Sequence, residues 1–220
     1  MIALKINNAN QEHKDALLEQ QYLIGLQDEF EVNINKLLIL DTLLSVQLEA
    51  AQDLMQHMHP ENVRVDESLF SKLLADGFKD THAYLPSSGV LNDLINSGQL
   101  GLIKNKKLRR IFADWDARIS YVKEIEDESK MASFQVVELL RQHGSFRQQM
   151  HNEFKALGTG PSSFKQSNAS LLNMEIFESS VVYFAGINWR LKNVFYPELK
   201  DKMKHVIEII ESETQARIRM

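Results

Sequence analysis

Residues 23–58, LIGLQDEFEVNINKLLILDTLLSVQLEAAQDLMQHM, decide the fold. Apolar side chains fall at Leu23, Leu26, Phe30, Leu37, Leu44, Leu48, Ala51, Met55 and Met58, with gaps of three, four and seven. Such spacing lays a continuous apolar stripe along one side of a helix, and Asn33 and Asp41, or its neighbour Leu40, fill the remaining stripe positions less decisively. From about Asn10 to His57 there is no proline and a single glycine, Gly25, so nothing interrupts the pattern until Pro60. Fifty residues at about 1.5 Å each span roughly 75 Å, more than the width of a compact domain of this size. One end of this helix is therefore expected to protrude or to pair with another chain, and the polar stretch Asn7 to Gln21 is the expected protruding end.

Working outward, Asp66 is placed to cap a short helix through Leu69, Phe70, Leu73 and Leu74, closed by Gly77 as a left-handed residue after its end. Phe78 to Gly89 reads as an ordered crossing loop. Ser87 or Ser88 can cap a second short helix through Val90, Leu91, Leu94 and Ile95 that ends at Ser97-Gly98. Asn105 caps a second long helix, whose stripe runs through Leu108, Phe112 or Ile111, Trp115, Ile119, Val122, Ile125 or Glu126, Ala132, Val136, Leu139 and Leu140 to Gly144 and is expected antiparallel to the first. Residues 158–168, opening on Gly158-Thr159-Gly160-Pro161-Ser162-Ser163, form the expected flexible loop. A last long helix follows from about Ser170, kinked or tightly broken at Pro197. No stretch alternates with the period of a strand. The expected fold is all-α: an elongated antiparallel helical bundle of long helices near 10–58, 105–143 and 170–212, with short crossover helices. It forms one domain over 1–220, with 1–20 as a helical stalk and 21–220 as the bundle.

Composition excludes more than it identifies. Lys plus Arg number 25 against 30 Asp plus Glu, a net charge of −5, so no bulk field draws the chain to phosphate backbones, and nucleic acid is not an expected partner. The absence of cysteine removes disulfides, thiolate metal sites and thiol nucleophiles together. No run approaches the roughly 18 apolar residues of a spanning helix.

Two blocks carry a resemblance. Ile2-Ala3-Leu4-Lys5-Ile6-Asn7-Asn8 reads like the last turn of a transmembrane helix whose upstream part is missing from this chain, and Glu19, Tyr22-Leu23 and Leu26 follow it. The second block is Leu94-Ile95-Asn96-Ser97-Gly98-Gln99-Leu100-Gly101-Leu102-Ile103-Lys104-Asn105, with Leu108-Arg109 behind it. Both resemble a family of uncharacterised bacterial membrane-anchored proteins, in which a basic cytoplasmic segment and one transmembrane helix precede a helical extracytoplasmic domain. The resemblance covers most of the chain. It implies inner-membrane anchorage with this domain in the periplasm, under the positive-inside rule. It brings no activity, substrate or cofactor.

No constellation amounts to a catalytic signature. His57 and His59 point about 200° apart on a helix, and neither a Glu-x-x-His pair nor HExxH occurs, so no metal is expected. Glu124, Glu126, Asp127 and Glu128 read as a solvated acidic face beside Lys123 and Lys130. Gly158-Thr159-Gly160 lacks the ending of a phosphate loop, and Ser87-Ser88-Gly89 has no sheet beneath it. Phe177, Tyr183, Phe184, Trp189, Phe195 and Tyr196 read as core, with Trp189 and Tyr196 also able to line a pocket. The Ser97–Gly101 stretch reads as a structural corner anchored by Leu100, Leu102 and Ile103. Lys104, Lys106, Lys107, Arg109 and Arg110 form the one basic cluster, a candidate contact for lipid headgroups or an acidic partner.

The expected role is that of a membrane-tethered interaction or scaffolding module, without enzymatic activity or cofactor, meeting a protein partner or a second copy of itself. The alternative is a ligand-sensing bundle, which a polar pocket converging on Arg109, Arg110, Trp115 or Trp189 would favour. An enzyme ranks third.

Overall fold

The computed structural model describes residues 2–58, 65–164 and 166–218, with side chains from 7 to 215. Met1, His59 and Pro60 lie outside the described residues, and with them the expected stop at Pro60. The fold is all-α, a helical bundle with no strand among the described residues. Its helices are α1 (Ile2–Gln56), α2 (Glu67–Phe78), α3 (Gly89–Asn96), α4 (Lys106–Ala113), α5 (Trp115–His143), α6 (Phe146–Glu153), α7 (Glu175–Arg190) and α8 (Tyr196–Ile218). Two compact units form: residues 1–38, 84–121 and 197–220 make the first, and 39–83 and 122–196 the second.

In the first unit, the sequence stripe of α1 is the core: Leu23, Leu26, Phe30 and Leu37 are buried. Phe30 stacks on Phe112 (ring centroids 6.1 Å apart) and meets Trp115 edge-on at 4.8 Å. The chain from 84 to 104 returns along α1 toward its N-terminal end. Lys36 Nζ donates to Leu85 O, Asn33 exchanges two hydrogen bonds with the Ser87 backbone, and Lys104 N–H donates to Glu19. That return path uses up the antiparallel position beside α1, so α4 and the start of α5 run parallel to α1, contrary to the sequence expectation. The antiparallel partner of α4 is α8, whose Glu213 accepts from Asn105 while Asp201 and His205 flank Ile111 and Arg118.

Local signals hold in part. Asp66 caps α2 by accepting from Leu69 N–H, and Asn105 caps α4 by accepting from Lys107 and Leu108 N–H. Ser88 precedes α3 without a side-chain cap bond, because the Glu29 carboxylate from α1 takes the Val90 and Leu91 N–H groups instead. Gly77 is not a left-handed terminus: it lies inside α2, buried, where an added Cβ would stand 3.7 Å from Ala50. Pro197 lies in the first turn of α8. A π-helical turn over Leu191–Phe195 precedes it, and helix resumes at Tyr196, the widened turn adapting to the donor that proline lacks.

The second unit is built on Leu40, Leu44, Leu48, Ala51 and Leu54 of α1, with Phe70 against Phe177 and Phe78 against Phe184. The buried Asn168 holds the α5–α6 corner, its Oδ1 accepting from Ser145 N–H at 2.6 Å and its Nδ2 donating to Ser145 O. In the loop beyond α6, the Arg147 guanidinium donates to Thr159 O and Ser162 N–H donates to Gln148. Gly144 sits tightly here, since a Cβ would come within 2.7 Å of Asn168 Oδ1 and 3.0 Å of Leu140 O. Gly144→Ala is expected to lower stability by about 1–3 kcal/mol through this overpacking, read from urea midpoints; an unchanged midpoint would refute the tight packing.

Candidate functional site

The basic segment follows directly from a corner that the sequence encodes. Gly98 adopts the left-handed backbone (φ 72°) that ends α3, and Ile103 is fully buried. Leu100 and Leu102 are only half-buried, so Ile103 alone of the three expected anchors is sealed in the core. Two residues that follow the first resemblance block bond α3 and this corner. Glu19, itself buried, accepts from Lys104 N–H at 2.6 Å, and Tyr22 donates to Asp93 at 2.7 Å. That hydrogen bond, followed by burial, raises the pKa of the Tyr22 hydroxyl above the ordinary phenol value.

The five basic side chains do not converge on a pocket. Lys104, Lys106, Lys107 and Arg110 are exposed, and Arg109 is half-buried with its guanidinium donating to Ile103 O at 3.0 Å. None of the five enters an ion pair among the described residues. Trp115 is taken up by the aromatic core around Phe30, and Trp189 is more than half exposed.

The acidic run is not a uniformly solvated face. Glu126 is buried and accepts from Tyr196 at 2.6 Å, while Glu128 accepts from Tyr183. Burial, then the Glu126 charge, push the Tyr196 hydroxyl far above its ordinary value. Of the aromatics read as core, Phe177, Phe184 and Tyr196 are buried, whereas Tyr183 and Trp189 face solvent. No group of three or more metal-ligating side chains gathers among the described residues, and no described helix is long and apolar enough to cross a membrane.

The feature the sequence reading missed lies on α1 itself, opposite its core stripe. In the first unit Leu17, Ile24 and Val32 point outward within an arc of roughly 80°, and in the second unit Ile39, Leu43 and Val46 do so within roughly 60°. These side chains are 36–62% exposed. The signal was present: 17, 24 and then 32, 39, 46 repeat at seven, offset by one residue, but the stronger stripe drew the assignment. No family model, curated protein or solved structure matches the chain.

Proposed function

We propose that this chain is a non-catalytic helical interaction module that pairs with a second copy of itself through the outward face of α1. The observation that carries this reading is the second apolar stripe of α1. Seven-residue spacing is the period at which two identical helices keep facing one another, and exposed apolar side chains gain most by being covered. Polar residues at Gln21, Asp28 and Asn35 interrupt the seam and make the pairing reversible rather than permanent.

The wider proposal is a membrane-tethered, extracytoplasmic domain, and it rests on the resemblance of residues 2–8 and 94–105. In support, α1 buries no side chain between Asn7 and Leu18. The Lys104–Glu19 bond also sets the basic segment beside the part of α1 nearest that end, where Lys104, Lys106, Lys107 and Arg110 would face anionic headgroups.

Sedimentation equilibrium tests the pairing. The native chain is expected to dimerise at micromolar to millimolar concentration, and Ile39→Glu/Val46→Glu to remain monomeric with unchanged helicity. Because the chain has no cysteine, Ile39→Cys also reports geometry: a parallel, in-register pairing of two α1 helices brings the two cysteines together and oxidises readily to a linked dimer. A native chain that stays monomeric throughout that range overturns the reading. The tether is tested separately, by fusing the native gene product to a reporter active only outside the cytoplasm; an inactive fusion removes the tether and leaves the pairing standing.

A further inference from the structure

We infer that the second unit carries a binding groove for a single-chain anionic amphiphile of the fatty-acid class. The groove is a cavity of about 770 Å³ between α2, α5 and α6, with walls from Leu74, Phe78, Leu140, Met150, Phe154 and Leu157. That volume falls within the range of small-molecule sites. It shares no wall with the outward face of α1, so it stands independently of the pairing.

Two features select the occupant. The lining is mostly apolar, with Gln149, Lys79, Glu153 and Lys155 as its polar members, and Phe146, Phe154 and Leu157 leave between 42% and 62% of their surface uncovered, so a chain of methylenes laid along them removes apolar surface from water on both sides. The rim then sets the head. Lys79 at the end of α2 and Lys155 beyond α6 are both exposed and enter no ion pair among the described residues, while Glu153 is the single carboxylate among the lining residues. Two ammoniums against one carboxylate favour an anionic head over a cationic or neutral one. Lys and Glu stems can lie along the apolar wall while their charged ends stay in water, which places the charges where a head would emerge.

Calorimetric titration of the full chain with dodecanoate, below its micelle concentration, tests this, with dodecanol as the uncharged counterpart. Dodecanoate is expected to bind one to one and more tightly than dodecanol. Ala156→Trp, at an exposed position on the groove wall, fills the space without disturbing the core and is expected to abolish binding of both. Lys79→Gln/Lys155→Gln is expected to weaken dodecanoate about three- to tenfold and to leave dodecanol unchanged, as two solvent-exposed charge contacts would. Absence of binding, or binding that survives Ala156→Trp, overturns the site. Equal affinity for the two compounds, insensitive to the lysine changes, overturns the anionic head. A groove that refuses both and takes an amphipathic helical peptide overturns the proposal in favour of a protein occupant.

Discussion

Phe30→Ala is expected to lower the unfolding free energy by about 3–5 kcal/mol, the range for deleting a fully buried aromatic side chain and leaving a cavity. Phe30 is 1% exposed and is the member of the first unit's aromatic cluster that touches both others, stacked on Phe112 and edge-on to Trp115. Its loss removes the transfer energy of the ring and both ring contacts at once, and Leu26, one turn before it on α1, is itself sealed and leaves little room for collapse. Urea unfolding followed by circular dichroism gives the number. A Phe30→Leu variant, which refills part of the volume, should recover part of the loss; a change below about 1 kcal/mol in Phe30→Ala would show that the cluster does not hold the unit together.

The second large effect is on the buried Tyr196–Glu126 pair. Tyr196→Phe keeps the ring but removes the hydroxyl that donates to Glu126 at 2.6 Å, and hydrogen bonds to a charged group carry about 1.5–3 kcal/mol. A loss of that size is expected at neutral pH. The same pair governs alkaline stability. In the unfolded chain the tyrosine ionises near pH 10, while in the fold Tyr196 keeps its proton well above that value because of burial and the Glu126 charge. Its contribution is therefore whole below about pH 10 and is lost above it, at about 1.4 kcal/mol per pH unit. Comparing native and Tyr196→Phe stabilities at pH 9, 10 and 11 isolates this slope from the titration of lysines. Parallel curves for the two proteins would exclude a proton held by Tyr196.

The candidate interaction surfaces were legible to different degrees. The basic segment was readable because Lys104, Lys106, Lys107, Arg109 and Arg110 are adjacent in sequence, though only the structure separates Arg109, drawn back to Ile103 O, from the four exposed side chains. Glu19 stands four residues before Leu23 on the core stripe, and that spacing marks it as buried, yet its partner, the backbone N–H of Lys104, is 85 residues away. The groove between α2, α5 and α6 had no signature, since Leu74 and Leu140 read as ordinary core positions and the uncovered volume arises only from how their helices are set.

What the sequence by itself determined were features that depend on neighbours three or four residues apart. The all-α class, the uninterrupted α1, the Asp66 and Asn105 caps and the Gly98 terminus follow from local spacing, because an α-helix closes its hydrogen bonds within one turn. What only the tertiary structure decided was direction and partnership. The return of residues 84–104 along α1 turned α4 parallel to it, Glu29 replaced serine as the cap of α3, Gly77 became a packing position, and Glu126 was drawn from an apparently solvated run into the core by Tyr196. Each of these depends on groups distant in sequence, whose approach is fixed by burying apolar faces against one another, and no local pattern carries that information.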